Sequence, residues 1–582
     1  MIFFDSEVFT YDWLLVTFNG EKWTYIENDR ELLQQYYDEN KHDLWIGYNV
    51  KGYDQYIVKA ILLGYNPKLV NDWIIKEGKA GWQFSNDFRN IKLNIYDCIV
   101  FGKSLKQLES YLGVNIHETD VDFDIKRPLT EAERKLNRKY CHDDVYNTAL
   151  VFQHTIDDFK AHMGLCQLAD EPLSSMGKTK AQLSSKILKA KRLTPTEWEQ
   201  EWDFEYVQCV KDYDYKHKDV LKFFNELHET KDAKAKYEIE LYGVPHIFAL
   251  GGLHGAIENY FYDIEQDVNH VVLHVDVGSM YPSIMICWDL LSRAIPNKQT
   301  YIDIRELRLK YKHEKNPLQA PLKIVLNSTY GMNLAGKCEN NKYRVLSDVY
   351  DPKKGREVCI NGQLMLLQLI EELSSNKDYQ LIQTNTDAVI YKIPKTEIDN
   401  FKNIVSTWEK RTRLNMEYDY ITYMAQADVN NYIAVFENGE VERKGGAVKK
   451  SKTLDYDLPI VADAVVEYFV NGVEPEEFIM KEQYLAPFMK TYKLSGNYKQ
   501  AIYNDEVLTD KVYRVFASRS RKDGILYKQK EGKNAEKFAS CPEHAKIVNS
   551  NIQGMVKPRW LDENWYIKEV WKRINRFTGK ES

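Results

Sequence analysis

The chain opens on a strand-like run, residues 1–4, that leads into Asp5-Ser6-Glu7. In an extended segment residues i and i+2 project to one face, so Asp5 and Glu7 point the same way. Two like charges about 7 Å apart at a strand end call for a counter-ion, and a divalent cation is the simple one. Taken alone, the pair has the same signature as a solvated acidic edge. Two further acids sit in comparable places: Asp54 closes Asn49-Val-Lys-Gly-Tyr53-Asp54 behind the apolar run 44–48, and Asp144 closes Tyr140-Cys-His-Asp-Asp144. Tyr140 and Asp144 are i and i+4, which puts them on one helix face. A second group lies downstream. Residues 271–275 form an apolar strand ending in Asp276-Val-Gly-Ser-Met-Tyr-Pro-Ser283, a carboxylate perch for a metal with backbone groups free to meet phosphate. Residues 380–382 run through Thr384-Asn385-Thr386-Asp387-Ala388 into 389–391, a hairpin with a carboxylate at its tip. Between these acids, Lys323, Asn327 and Tyr330 recur at i, i+4 and i+7, and Arg308 with Lys312 at i and i+4. Helices would present each set on one face.

Elements of several kinds must position these residues. Over 1–155, strand-like runs at 1–4, 13–18, 43–48 and 91–96 alternate with helical periodicity at 55–63 and 105–112, which predicts one α/β domain. Residues 160–243 are richly charged and mostly helical in pattern, with Pro195 and Pro245 as breakers, and read as connecting structure. A turn-rich Ala249-Leu-Gly-Gly-Leu-His-Gly255 precedes the strand at 270–275. From there to about 450 short strands and helices alternate, an α+β pattern. The remainder reads as mixed and mainly helical, with a cationic stretch over 511–533.

Length and composition bound the possibilities. At roughly 100–200 residues per domain, 582 residues suggest about three to five domains. An apolar share of 44% with 28% charged residues excludes a mainly disordered or fibrous chain. No apolar run approaches the roughly 20 residues that cross a bilayer, and the first residues lack the basic region of a secretory signal. Eight scattered cysteines include no CxxC pair, which predicts buried free thiols in a reducing cytosol. The net charge of −7 hides a split: 26 Lys/Arg against 20 Asp/Glu from Val441 onward leave that tail at +6 and the rest at −13. This permits a nucleic-acid partner without requiring one. His254 and His274 read as ordinary hydrogen-bonded histidines.

In their order, DxE, NxxxYD and YxxxD resemble the motifs of the DEDD exonucleases of the tyrosine variety. The resemblance implies that Asp5, Glu7, Asp54 and Asp144 ligate two divalent metals, that Tyr140 positions the attacking water, and that Asn49 and Tyr53 handle unpaired terminal nucleotides. The segments at 276–283, 323–331 and 384–388 resemble motifs A, B and C of the family B DNA polymerases, DxxSLYPS, KxxxNSxYG and DTDS, in their compact bacteriophage form. Met280 replaces the leucine of motif A, while Asn385 and Ala388 stand at the first aspartate and the serine of motif C. The resemblance implies Asp276, Val277 and Asp387 as ligands of two Mg²⁺. It places Arg308, Lys312 and Lys323 on the β- and γ-phosphates, and Tyr281 under the sugar, where it excludes a 2′-hydroxyl. Asn327 and Tyr330 would pack at the nascent base pair, with Gly331 against DNA. Residues 430–444 are similar to the family's KxY region, which braces the primer: Tyr432 fits, Asn430 takes the lysine position, and Lys444 offers another phosphate contact. Gly251-Gly252 is similar to the YxGG link, with Ala249 in the tyrosine place.

The implied fold is multidomain, α/β and α+β. It has a ribonuclease H-like 3′–5′ exonuclease over 1–160 and a connecting lead over 161–265. A right-hand polymerase follows, with palm at 266–300 and 336–450, fingers at 301–335 and thumb at 451–582. The implied activity is template-directed addition of deoxynucleotides to a primer 3′-hydroxyl, with proofreading, in phage DNA replication. Two Mg²⁺ are expected at each site, with Mn²⁺ as a substitute. Primer–template DNA and dNTPs are the expected partners, with a helicase, primase or single-strand-binding protein beside them. A monomer without membrane contact, in the cytoplasm of an infected bacterium, is the implied setting. Only 47 residues separate Asp276 from Lys323, and 57 separate Tyr330 from Asp387. Those intervals leave no room for the insertions that seat a terminal protein or encircle template in protein-primed relatives. An ordinary primer and poor strand displacement are therefore expected. An exonuclease with a degenerate polymerase half, prompted by Asn385 and Asn430, and a non-catalytic DNA-binding replication scaffold are the alternatives.

Overall fold

The structure is a computed structural model describing residues 1–119, 121–194, 202–339, 342–344 and 346–580, the side chains of 337–345 aside. Pro195 and the Cys338 side chain therefore lie outside the described residues. The chain forms two compact units: Met1–Thr179 with Ser451–Val461 and Ile479–Ile567, and Lys180–Lys450 with Ala462–Phe478 and Lys568–Ser582.

The first unit is built on a five-stranded sheet of β1 (Ile2–Val8), β2 (Trp13–Phe18), β3 (Trp23–Glu27), β4 (Leu44–Gly47) and β5 (Asn94–Asp97), in the order β3-β2-β1-β4-β5. The first three strands run antiparallel; β4 joins β1, and β5 joins β4, in parallel. Alternation along β1 sends Ile2, Phe4 and Val8 into a core with Trp45, Val50 and Ile57. Asp5 and Glu7 are left together on the opposite face, as strand geometry requires. Of the helices here, α1 (Asp54–Leu63), α2 (Leu105–Leu112) and α3 (Glu131–His154) bear on the site; others cover Arg30–Asn40, Pro67–Ile75 and Ile156–Leu168. A capping box between Thr130 and Glu133 starts α3, and Cys141 and Val145 seat it on Leu14 and Val16.

The second unit holds a ten-stranded sheet. Its strands are β6 (Lys236–Leu241), β7 (Val244–Ala249), β8 (Gly252–Ala256), β9 (Tyr260–Asp263), β10 (His270–Val277), β11 (Gln380–Asn385), β12 (Ala388–Pro394), β13 (Met416–Asp428), β14 (Asn431–Phe436) and β15 (Val441–Lys444). The path runs β15-β14-β13-β10-β12-β11-β8-β7-β6, with β9 pairing β13. The turn-rich stretch at 249–255 holds the tight β7–β8 turn at 250–251, closed by the pair Ala249 and Gly252, and continues as strand β8. Helices α4 (Lys298–His313) and α5 (Gln319–Leu334) pack on one another, and α6 (Pro352–Leu373) is buried along nearly its whole length.

The last part of the chain corrects the helical expectation. Helices cover Pro459–Asn471, Pro475–Lys481 and Glu563–Thr578, but seven strands lie between them. Three of these, β16 (Lys490–Lys493), β17 (Val512–Ala517) and β18 (Ala545–Ile547), form a sheet in the order β16-β17-β18. Every residue of β17 is buried, so neither the alternation of a half-exposed strand nor a helical stripe marks it in the sequence. The cationic stretch at 511–533 is unevenly exposed. Arg514 is 0% exposed; its guanidinium donates to the carbonyls of Glu109, Ser110 and Val114 at the end of α2, and to that of Ser550. Lys511, Lys522, Lys530 and Lys533 do face solvent.

Among the described residues no helix is long and apolar enough to cross a membrane. The seven cysteines with described side chains are free thiols, six of them buried, with Cys287 half-buried.

Candidate active sites

In the first unit, three elements bring four carboxylates together. β1 supplies Asp5 and Glu7, the first turn of α1 supplies Asp54, and α3 supplies Asp144 one turn beyond Tyr140. Asp54 is 3% exposed and accepts hydrogen bonds from the Ser6 amide at 3.1 Å and the Ser6 hydroxyl at 2.6 Å, which locks α1 to β1. Burial pushes the Asp5 carboxyl well above the ordinary range, and the charges of Asp54, Glu7 and Asp144 push it further. Burial does the same to Glu7, with Asp144 and Asp54 adding to it and Lys106 opposing. Asp54 rises to about 7, through burial set against its Ser6 hydrogen bonds. The donors are hard oxygens crowded past what their own solvation supports, which is the donor chemistry that a divalent cation relieves. Cys141 adds a sulfur near Asp5 and Glu7. Burial first, then the Asp5 charge, holds its thiol protonated, so at 3.6 Å it donates to Asp5 rather than ligating as thiolate.

Two residues of this site escaped the sequence reading. Lys106, on α2, reaches Asp144 at 2.5 Å and Glu109 at 3.2 Å, and its ammonium lies 4.6 Å from the centre of the Tyr140 ring. Asp97, at the end of β5, accepts from the amides of Asn49 at 2.8 Å and Lys51 at 3.0 Å. It thereby pins the turn in which Asn49 takes a φ of 63°. An acid at the end of a predicted strand was a visible signal for Asp97; a lone lysine on an amphipathic helix gave none for Lys106. The Asn49 side chain is exposed, whereas Tyr53 is half-buried and donates to Asn71 at 2.7 Å.

In the second unit, Asp276 on β10 lies opposite Ala388 on the neighbouring antiparallel β12, and the Val277 amide donates to the Asp387 carbonyl at 2.9 Å. The two carboxylates therefore stand on adjacent chain segments at one end of the sheet. They line one cavity of about 560 Å³, shared with Tyr281, Arg305, Arg308, Lys312, Lys323, Asn327 and Glu417. Burial, then the charges of Asp387, Glu417 and Asp419, raise Asp276 to about 7. Burial raises Asp387 too, while His274 and Lys444 oppose. This is again an all-oxygen set suited to a hard divalent cation. In the same cavity, α4 and α5 present their cations as the spacing predicted, and the Arg308 Nε is buried with no partner among the described residues. A buried donor without an acceptor suits a wall that awaits an anion. Arg305, one turn before Arg308, completes an i, i+3, i+7 series that the sequence displayed. Glu417 is brought in by β13 pairing with β10, and only that pairing reveals it.

The Tyr281 and Tyr330 rings stack with centroids 4.0 Å apart, at 23°. Gly331 is exposed on α5 beside them. Tyr432 is 4% exposed and belongs to a core cluster, opposite exposed Lys444 on β15. His274 stands 3.9 Å from Asp419, and His254 bonds Asn385.

No family model matches the chain, and no curated protein matches it. Among solved structures, the family B DNA polymerase from the hyperthermophilic archaeon Pyrobaculum calidifontis aligns over 100% of this chain and 78% of its own, with 16% identity and a TM-score of 0.42. So loose a superposition carries over neither residue nor activity.

Proposed function

We propose that this chain is a template-directed DNA polymerase of the family B type, with a 3′–5′ proofreading exonuclease in its first unit. One observation carries the polymerase reading: Asp276 and Asp387, 111 residues apart in sequence, open on one cavity that Arg305, Arg308, Lys312 and Lys323 also line. Acids from the sheet and clustered cations from two helices in one cavity are what a nucleoside triphosphate needs at a reacting primer end. The nuclease reading is supported by the four crowded carboxylates, Tyr140 and the β3-β2-β1-β4-β5 order, which suits a ribonuclease H-like domain.

When bound, Mg²⁺ or Mn²⁺, held by Asp276, Val277 and Asp387 in one site and by Asp5, Glu7, Asp54 and Asp144 in the other, would neutralise phosphate charge and activate the attacking oxygen. The chain's own residues do the rest. Arg305, Arg308, Lys312 and Lys323 grip the triphosphate, and Asn327 faces the same space. Tyr281, backed by Tyr330, closes the floor of the sugar pocket. In the nuclease site the Tyr140 hydroxyl is held protonated, chiefly by burial and then by Asp144, so it can orient a water as a donor. Lys106 steadies Asp144 from α2.

In domain terms we assign the nuclease to 1–160, the lead to 161–265, palm to 266–300 and 336–450, fingers to 301–335, and duplex-holding work to 451–582. Primer–template DNA, dNTPs and an ordinary nucleic-acid primer follow as substrates. One gel tests the reading: labelled primer–template with Mg²⁺, with and without dNTPs. Lengthening with dNTPs and shortening without them is the expected result; shortening in both lanes would leave a nuclease alone, and no change would leave a scaffold.

A further inference from the structure

Asp387 sits in a two-residue hairpin loop between β11 and β12, closed by the pair Asn385 and Ala388. Such loops demand a positive φ at their first position, where glycine or asparagine is usual. Here Thr386 takes it, with a φ of 57°. A β-branched side chain in the left-handed region is strained and persists only where its surroundings over-determine it.

Those surroundings are supplied by β8. The Thr386 amide donates to the Leu253 carbonyl at 2.9 Å, and the Asp387 amide turns back to the Asn385 carbonyl at 2.7 Å. On the side-chain level, His254 lies opposite Asn385 in the β8–β11 ladder, with its Nδ1 3.1 Å from the Asn385 Oδ1. A carboxamide oxygen only accepts, so the imidazole donates. Gly252, with a φ of 135°, admits this packing: a Cβ there would come within 3.3 Å of both the His254 Nε2 and the Thr386 Oγ1. From the other side the Asp387 carbonyl is held by the Val277 amide at 2.9 Å. The loop carrying one site carboxylate is thus clamped between the strand that carries the other and a histidine 133 residues before it in sequence.

We propose that His254 is a positioning residue for Asp387, acting through the Asn385 carboxamide to hold the strained Asn385-Thr386-Asp387 turn in register with Asp276. This inference rests on the polymerase reading of the site. Without the imidazole donor, the Asn385 Oδ1 keeps only the longer 3.5 Å bond from the Thr386 hydroxyl, which moves with the turn itself; Asn385 can then rotate and Thr386 relax toward negative φ, and the Asp387 carboxylate leaves its place beside Asp276.

The test uses the full chain with the nuclease acids removed (Asp5→Ala with Glu7→Ala), so that only the polymerase site is read. Two quantities are measured: Mn²⁺ affinity by titration without DNA or nucleotide, and kcat and KM for single-nucleotide incorporation. His254→Ala should weaken Mn²⁺ binding and lower kcat, each by about 10–100-fold, the usual cost of losing an outer partner of a metal ligand. The dNTP KM should stay within about twofold, because the triphosphate wall on α4 and α5 is untouched. His254→Asn, whose amide nitrogen falls near the place of Nδ1, should restore most of both. Asn385→Ala should reproduce the loss alone and add nothing to His254→Ala. The inference is overturned if His254→Ala matches its parent in both readouts, if His254→Asn is as impaired as the alanine variant, or if the two losses multiply. Should the alanine variant fail to fold, Asn385→Ala alone decides. Absence of extension by the parent protein would overturn the polymerase reading itself, and this inference with it.

Discussion

Tyr281 and Tyr330 belong together as one object: a ring supported from behind by a stacked ring cannot swing away when a bulkier sugar enters. Tyr281→Ala should therefore relax the exclusion of ribonucleotides by about 10-fold or more while leaving deoxynucleotide addition measurable; rNTP against dNTP incorporation ratios check this. A second residue-scale expectation concerns acid. His246 is 1% exposed, bonded through Nδ1 to the Val244 carbonyl and through Nε2 to Thr384. Burial lowers its pKa from the ordinary 6.5 to about 4. A histidine kept neutral by the fold contributes fully above its unfolded pKa, and that contribution is lost as pH falls from about 6.5 through about 4, up to about 3 kcal/mol. His246→Gln should flatten the decline of stability across that window, measured by urea unfolding at stepped pH. An unchanged slope would assign the acid sensitivity elsewhere.

At the scale of elements, α2 carries more than its eight residues suggest. Its Lys106 bonds Asp144 of the proposed nuclease site, and its terminal carbonyls receive a buried arginine from β17. A helix C-terminus is a partial negative charge, so a cation there is favourable even without a carboxylate partner. Its burial still lowers the Arg514 pKa to about 10. Arg514→Met strips those carbonyls of their donor and should cost about 3 kcal/mol or more. Calorimetry should show an earlier unfolding of the first unit, and single-strand degradation should fall further than primer extension. Equal losses in both activities would contradict a local role. The α4–α5 pair behaves differently: its cations project into the second unit's cavity from helices that the i, i+4 spacing already announced.

For the molecule as a whole, the two acid clusters lie in separate compact units, so their activities should separate. Asp387→Asn should abolish primer extension and leave single-strand degradation; Asp5→Ala with Glu7→Ala should do the reverse, read on the same labelled substrates. Loss of both activities from either change, with folding intact, would contradict two sites. Synthesis through a long downstream duplex should be weak without a helicase; robust displacement by the chain alone would refute that expectation. Much of the local geometry of the two clusters was legible from the sequence because strand and helix periodicities are local. Asp5 and Glu7 had to share a face, Tyr140 and Asp144 a helix, and Lys323, Asn327 and Tyr330 another. The tail was misread because β17 is buried on both faces and hides a charge, leaving no period to detect. Spacing alone was enough to show which residues are candidates for chemistry and on which local face each one lies, since a few backbone dihedrals fix those relations. Tertiary structure alone decided which faces meet: Lys106 on Asp144, Glu417 beside Asp276, His254 on Asn385. These pairings arise from strand register and helix docking between segments tens to hundreds of residues apart, and long-range packing leaves no trace in local spacing.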